Sequence, residues 1–244
     1  MDDLERSFTV QRGDFVFRLA LSFVLIFAFG YRANRASNQS ETPNGDKFVY
    51  ADFEKVENGR PVSNGGGLIQ IYTSQETTPV QYKGLANASP GAPELVRLKG
   101  DDPNHLASFD YNLSAPNQWA NVTLEIQGHP NRDGKSAADD LSAYKQLSVQ
   151  LYATGAEYLR VEFVSHGQGI NINSGYPQTS IKLKPGLNTY LITFKSLAQP
   201  SWAQDKIDIK DLLKKVTAVS ISAYCNQCVL QHGTVLVDNL VFQK

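Results

Sequence analysis

The sequence predicts an all-β fold, a jelly-roll β-sandwich of two antiparallel sheets that follows an apolar N-terminal helix. Short runs rich in β-branched and aromatic residues recur along residues 48–244, and Gly, Pro, Asn or Asp bounds each of them. The same region has no long segment in which apolar residues recur with a helical period. Strands that follow one another without intervening helices pair antiparallel, as in a sandwich or a barrel.

The chain begins with an apolar segment that is separate from the sandwich. Residues 15–31 are mostly apolar, and their single charged residue is Arg18, whose long side chain can reach a membrane interface. Such a segment is typical of a signal peptide or an uncleaved anchor, so residues 1–31 are predicted to export or tether the chain. The polar residues 32–47 are typical of a linker. We therefore expect the domain 48–244 outside the cytoplasm, at a cell membrane or in a periplasmic or secreted form.

The predicted strands each have about the length that a sandwich needs. They cover residues 48–54, 68–73, 121–127, 146–153, 158–164, 188–194, 216–224 and 234–244. The best candidate for a helix is residues 207–215, with Asp208 or Asp205 as a possible N-cap.

Alternation along the strands predicts a polar and aromatic outer sheet face. When the apolar residues of two consecutive strands face the core, Gln150, Tyr152, Arg160 and Glu162 face outward, as does Tyr224 of a later strand. Aromatic rings stack on the apolar faces of pyranoses, while amides and charges bind the hydroxyls. These five residues are therefore a candidate carbohydrate site, although an ordinary solvated sheet face has the same pattern.

The two tryptophans differ in their sequence surroundings. Trp119 directly precedes a predicted strand, which favours a packing role. Trp202 lies in a polar segment with little apolar sequence to pack against, so it is the better candidate for stacking on a ligand.

The composition argues against several other functions. A formal net charge of −1 shows no basic surplus for nucleic acid. The four histidines have no metal-binding spacing, and no nucleophile or zinc-protease motif occurs. Glu125 and Glu162 would suit a glycosidase, but any two acids on one sheet face look the same. A non-catalytic protein is therefore predicted.

Acidic residues interrupt both terminal strands of the domain. Asp238 and Asn239 break an apolar run, and Asp52 and Glu54 lie in the opening strand. A carboxylate in an apolar strand requires an ion, a hydrogen-bonded bend or exposure. Both an ion site and a simple bend remain open.

The two cysteines, Cys225 and Cys228, follow a predicted strand directly. A redox pair would need a following helix, and a zinc site would need two more ligands, of which His232 alone is close. A disulfide suits an exported domain with an even cysteine count, and reduced thiols are the alternative.

The order of several segments resembles a known group of proteins. These segments are DFE (52–54), QWANVTLEI (118–126), the passage 140–163, PGLNTYLITFKSL (185–197) and the final VTAVSIS…GTVLVDNLVF. Together they resemble galactose-binding-like jelly rolls, above all the complex I intermediate-associated protein 30 type and family 11 carbohydrate-binding modules.

This resemblance covers about 48–244 and carries several implications. It implies two stacked antiparallel sheets, a ligand cleft on the concave face, and a structural calcium near the chain ends. Asp52, Glu54 and Asp238 match the family's acids there. The sequence thus predicts a tethered or exported carbohydrate-binding module. A protein-interaction or complex-assembly module of the same fold is the first alternative, and a carbohydrate-active enzyme is the second.

Overall fold

The computed structural model of the protein describes residues 45–74, 91–125, 138–170, 175–225 and 231–244. In this part of the chain, two antiparallel sheets pack face to face around one core. The all-β sandwich that the sequence predicts is confirmed. The predicted apolar helix, which would include residues 15–31, lies outside the described residues.

Thirteen strands form in the described residues, and most of them belong to the two sheets of the sandwich. The strands are β1 Lys47–Ala51, β2 Val56–Glu57, β3 Arg60–Pro61, β4 Ile69–Thr73, β5 Glu94–Val96, β6 Leu106–Leu113, β7 Trp119–Glu125, β8 Gln146–Ala153, β9 Tyr158–Val164, β10 Gln178–Lys182, β11 Asn188–Thr193, β12 Ala218–Tyr224 and β13 Gln231–Gln243. A 3-10 turn, Phe194–Ser196, follows β11, and one short helix, α1, spans Ile209–Leu213.

Two sheets of different order make up the sandwich. The six-stranded sheet has the order β11-β8-β13-β6-β5, and β1 also pairs with β13. The five-stranded sheet has the order β10-β9-β12-β7-β4, while β2 and β3 form a separate hairpin. From β6 to β9 the chain changes sheet at every step. Strands that are adjacent in sequence therefore lie in opposite layers, which is decisive for the site described below.

Strand alternation explains how the sheets bury their inner faces. In β9, Leu159, Val161 and Phe163 are buried, and the residues between them are not fully buried. The inner residues of both sheets join one apolar cluster. Because successive side chains of a strand point to opposite faces, the residues between the core positions line the outer faces of the sheets.

A β-bulge holds the two chain ends in the six-stranded sheet. The register of β13 against β8 shifts between Asp238 and Val241, and Asn239 has a positive φ of 49°. Beyond the bulge, β1 pairs with the last residues of β13. Phe242 there is fully buried and contacts Tyr50 and other rings. Asp238 and Asn239, which break the apolar run, thus lie at the point where β13 stops pairing with β6 and begins to pair with β1.

The helix and most strands lie where the sequence predicts them. The bounds of β8 and β9 agree with the predicted 146–153 and 158–164, and the side chain of Asp208 caps α1 by accepting from the Lys210 amide at 2.8 Å. None of the helices among the described residues is long and apolar enough to span a membrane.

Candidate functional site

A groove crosses the outer face of the five-stranded sheet. Its volume is about 780 Å³. Strands β4, β7, β9 and β12 contribute its floor and one wall, and the other wall is made by His166, Gly175, Tyr176 and Trp202. The lining side chains are aromatic, polar and charged: Tyr72, Thr73, Asn117, Trp119, Asn121, Thr123, Glu125, Arg160, Glu162, Val164, His166, Gly175, Tyr176, Trp202, Thr217, Ala218, Ser220 and Tyr224. We call this surface the groove.

The floor of the groove follows from strand register. Ser220 of β12 lies between Thr123 of β7 and Glu162 of β9, so these three side chains form one row across the sheet. Two residues further along, Ser222 lies between Asn121 and Arg160. Each row is made of outward-facing residues because all the strands expose the same parity here.

Hydrogen bonds between side chains fix part of this floor. The hydroxyls of Thr123 and Ser220 lie 2.7 Å apart, and Thr123 Oγ1 donates to Asn121 Oδ1 at 3.1 Å. On the adjacent strand, Tyr72 donates from its hydroxyl to Gln70 Oε1 at 2.6 Å. These bonds hold the polar groups in place before any ligand arrives, which reduces the ordering cost of binding.

Two exposed aromatic side chains mark the two walls. Tyr72, on the edge strand β4, is 38% exposed, and Trp202, in the segment before α1, is 59% exposed. Large aromatic rings that remain open to solvent beside a concave polar surface are typical of ligand contacts.

A glycine fixes the position of Trp202. Gly175 has a φ of 81°, and a Cβ placed there would lie 3.1 Å from the Trp202 ring and 2.8 Å from the side chain of Ala203. The Gln199 amide donates to the backbone oxygens of Gly175 and Asp205, at 3.1 and 2.8 Å. The indole is therefore held by backbone contacts although most of it faces solvent.

Burial sets the charge state of the groove. Burial raises the pKa of Glu162 above its ordinary value, while the nearby Arg160 charge and the backbone N–H of Tyr176 oppose this shift. Burial also lowers the pKa of His166, which favours the neutral imidazole. The groove thus combines one guanidinium with a carboxyl, that of Glu162, whose ionisation burial disfavours, and such a surface is better suited to a hydroxyl-rich ligand than to a strongly charged one.

Four of the six predicted ligand residues line the groove: Arg160, Glu162, Trp202 and Tyr224. Gln150 and Tyr152 do not, because β8 belongs to the other sheet, where it pairs with β11 and β13. The expectation that all of them share one face was wrong for these two. It placed the outward residues of β8 and β9 on the face of one sheet, whereas the short connection between these strands crosses from one sheet to the other.

Several residues of the groove were not predicted from the sequence, among them Tyr72, His166 and Tyr176. The alternation of strand β4 could have identified Tyr72, because Ile69 and Ile71 of this strand are buried and Tyr72 has the opposite parity. His166 and Tyr176 lie outside the strands, and only the fold brings their rings together, with centroids 5.5 Å apart.

The spacing of the two groove glutamates does not separate binding from glycoside hydrolysis. Glu125 pairs with Ala218, and Glu162 pairs with Ser220, so the two acids lie two strands apart and in different rows. With a strand spacing near 4.8 Å and a rise near 3.3 Å per residue, their Cα atoms are about 12 Å apart. The carboxyl groups of glycosidase pairs lie roughly 5–9.5 Å apart, and glutamate side chains that start from this Cα separation can reach such a distance.

The acids of the terminal strands form a second polar cluster, apart from the groove, which we call the chain-end cluster. Asp238 is fully buried and accepts hydrogen bonds from the Asn104 amide at 2.9 Å and from the Asn239 backbone N–H at 2.7 Å. Burial raises the pKa of Asp238, its hydrogen bonds oppose the shift, and the charges of Glu54 and Asp52 add to it. The three predicted acids are therefore close enough to influence one another electrostatically.

Glu54 already has a partner in this cluster. It accepts from the backbone N–H of His105 and contacts His105 Nδ1 at 2.8 Å. Burial alone would raise the pKa of Glu54, but the hydrogen bonds and the charges of His105 and Arg97 outweigh it and hold the pKa below its ordinary value. Among the described residues, no three acidic, His or Cys side chains are arranged to hold a metal ion. The predicted calcium stays a prediction.

The predicted disulfide is only partly within the described chain. Cys225 directly follows β12 with 1% of its surface exposed, and its backbone exchanges hydrogen bonds with Asn117 and Gln118. Cys228 lies outside the described residues. The Cys225–Cys228 pairing therefore stays a prediction as well.

Two solved structures show the same architecture. The family 11 carbohydrate-binding module of the cellulosomal cellulase Lic26A-Cel5E of Clostridium thermocellum is 15% identical to this chain, with a TM-score of 0.51. The match covers 81% of this chain and 94% of the module. The chain has the jelly-roll fold of family 11 carbohydrate-binding modules. A second structure, the module from the same organism in complex with a β-1,3-1,4-mixed-linked tetrasaccharide, matches at 14% identity and a TM-score of 0.51, over 81% of this chain and 95% of that one.

These matches agree with part of the sequence analysis. The predicted resemblance to family 11 modules is confirmed at the level of the fold. The resemblance to the complex I intermediate-associated protein 30 type stays a prediction. No protein-family model matches the chain, and no curated protein matches it.

Proposed function

We propose that this domain is a non-catalytic module that binds a carbohydrate chain in the groove. The observation that carries the proposal is the concave face itself, where exposed rings on both walls, Tyr72 and Trp202, flank a floor of hydroxyls, an amide and charged groups. Rings of this kind cover the apolar faces of sugar residues, and the floor supplies partners for their hydroxyls.

The fold likeness supports the same function. One structural neighbour was solved with a β-1,3-1,4-mixed-linked tetrasaccharide. For this chain we propose a neutral or weakly charged oligosaccharide, because Arg160 is the one guanidinium among the lining residues, whereas Glu125 and Glu162 are acidic. A polyanion would meet the carboxylates at close range.

Affinity gel electrophoresis tests this proposal. The domain would be run through gels that contain mixed-linked β-glucan, xylan, galactomannan or pectin, and the wild type should be retarded by at least one neutral glycan. Tyr72→Ala should lose most of this retardation. Tyr152→Ala is the matched control, because it removes an aromatic ring from the opposite sheet, and it should migrate as the wild type does. Silence across the panel, or equal losses in both variants, would refute the proposal.

We further propose that the domain acts outside the cytoplasm, exported or tethered by residues 15–31. The sequence supports this with an apolar segment followed by the polar linker 32–47. Fractionation of cells that express the full chain, with protease added to intact cells, tests it. Recovery of the protein in the cytosol, protected from protease, would contradict it.

Calcium at the chain-end cluster is a separate proposal. Asp238 supplies a buried carboxylate whose pKa the charges of Asp52 and Glu54 raise, and a cation would relieve this repulsion. Asn104 and Asn239 offer amide oxygens if their side chains rotate. An ion there would stabilise the closure of the chain ends and would leave the groove unchanged.

A further inference from the structure

The ring of Tyr224 in the groove is covered by a cation. Tyr224 ends β12 on the outer face, and Arg160 projects from the neighbouring strand β9. The guanidinium carbon of Arg160 lies 4.7 Å from the centroid of the Tyr224 ring. This is a cation–π stack, and it occupies the ring face on which a sugar would otherwise lie.

The stack on Tyr224 positions the guanidinium while one of its N–H groups is unpaired. Within the described part of the chain, Arg160 Nε is buried and has no hydrogen-bond partner. An arginine that is positioned by its surroundings normally satisfies its N–H groups, because a buried unpaired donor is costly. The gain from the stack and the cost of the unpaired donor are of similar size, so the covering position is only weakly preferred.

A second unpaired group lies beside the first. Ser222 is adjacent to Arg160 in the sheet register, is fully buried, and its hydroxyl also lacks a partner among the described residues. In the neighbouring row, by contrast, Thr123 and Ser220 bond to each other. An unpaired donor and an unpaired hydroxyl thus lie on paired residues of neighbouring strands, next to the stacked Tyr224 ring.

We propose that Tyr224 and Ser222 form a covered sugar subsite and that Arg160 is its cover. The inference rests on the proposed function of the groove. When a pyranose ring enters, the guanidinium leaves the Tyr224 face, and the apolar face of the sugar replaces it. The ligand hydroxyls then reach Ser222. Arg160 is thereby a specificity-determining residue, since ligands that cannot displace it lose this subsite.

The cover has a measurable effect on affinity. If the guanidinium occupies the ring about 80% of the time, the apparent affinity for a ligand that needs the ring falls about fivefold. Removing the Arg160 side chain should therefore raise the affinity about fivefold. If Arg160 instead contacted the ligand directly, its removal would lower the affinity.

Calorimetric titration with the β-1,3-1,4-mixed-linked glucan tetrasaccharide tests whether removing Arg160 raises or lowers the affinity. Arg160→Ala should bind about fivefold more tightly than the wild type, and the gain should vanish when Tyr224→Ala is also present. Lys182→Ala is the matched control. Lys182 lies 5.8 Å from the ring centroid of Tyr158, outside the groove, and its removal should change nothing. Weaker binding in Arg160→Ala, or a gain that persists without the Tyr224 ring, would overturn the proposal.

A measurement without ligand separates the cover from the proposed function. The Arg160 Nε–H resonance should show the ring-current shift of a group above Tyr224 and exchange between two states on the microsecond to millisecond timescale. A single rigid state would overturn the cover even if glycans bind. Exchange in a protein that binds no glycan would support the cover and refute the carbohydrate function alone.

Discussion

Replacing Trp202 by alanine should weaken glycan binding by about 30-fold. The indole is 59% exposed. For a side chain of about 250 Å² this leaves about 150 Å² open to solvent, and a sugar stacked on one face would cover roughly half of that. At about 25 cal/mol per Å², burying about 75 Å² contributes about 2 kcal/mol, which corresponds to the 30-fold loss.

Isothermal titration of the wild type and Trp202→Ala with the best glycan of the gel panel measures this loss. The thermal midpoints of the two proteins should differ little, because the ring is mostly outside the core, so a binding loss will not reflect unfolding. Tyr152→Ala again serves as the control on the opposite sheet. If Trp202→Ala binds the glycan within twofold of the wild-type affinity, Trp202 does not stack on the ligand, because removing a ring that the ligand covers would weaken binding by more than this.

Three further predictions concern stability. Burial raises the pKa of Glu162, so folding favours its protonated form. The wild type should therefore lose stability relative to Glu162→Gln as the pH rises from about 4 through the folded-state pKa. If the thermal midpoints of the two proteins change equally with pH, this prediction is wrong. Phe242 is fully buried, so Phe242→Ala should lower the free energy of unfolding by about 3–5 kcal/mol and the thermal midpoint by roughly 6–20 °C. Phe242→Leu should lower both by less. A midpoint shift below 2 °C in Phe242→Ala would show that β13 does not close the core. Calcium at about 100 times its dissociation constant should raise the free energy of unfolding by about 2.7 kcal/mol, and Asp238→Asn should remove this effect. Equal thermal midpoints of the wild type with calcium and with chelator would contradict a calcium site.

Local sequence signals predict much of the fold. Alternation of apolar residues gives β8 and β9 with their observed bounds, and Asp208 caps α1 as its position before an apolar run suggests. Strand β6 was missed, since no strand was predicted between residues 73 and 121. Its alternation is visible nevertheless, because Phe109, Tyr111 and Leu113 are buried with polar residues between them.

The layer to which a strand belongs could not be predicted in the same way. Parity decides whether a side chain faces the core or the solvent, but both sheets have an outer face. Arg160 and Tyr152 have the same parity and differ only in their sheet. The groove depends on this choice, and the choice depends on pairing between strands far apart in sequence, such as β12 with β7. Such pairings leave little trace in the local pattern, so the site was predicted in part.

Mapping amide chemical shifts in the ¹⁵N-labelled domain, while the best glycan of the panel is added, tests the central claim most directly. The account predicts shifts that concentrate on the outward residues of β7, β9 and β12, with Glu125, Arg160 and Ser220 among them, and none on the outer face of the six-stranded sheet. Shifts centred on Tyr152 and Leu236 of β8 and β13 would contradict it.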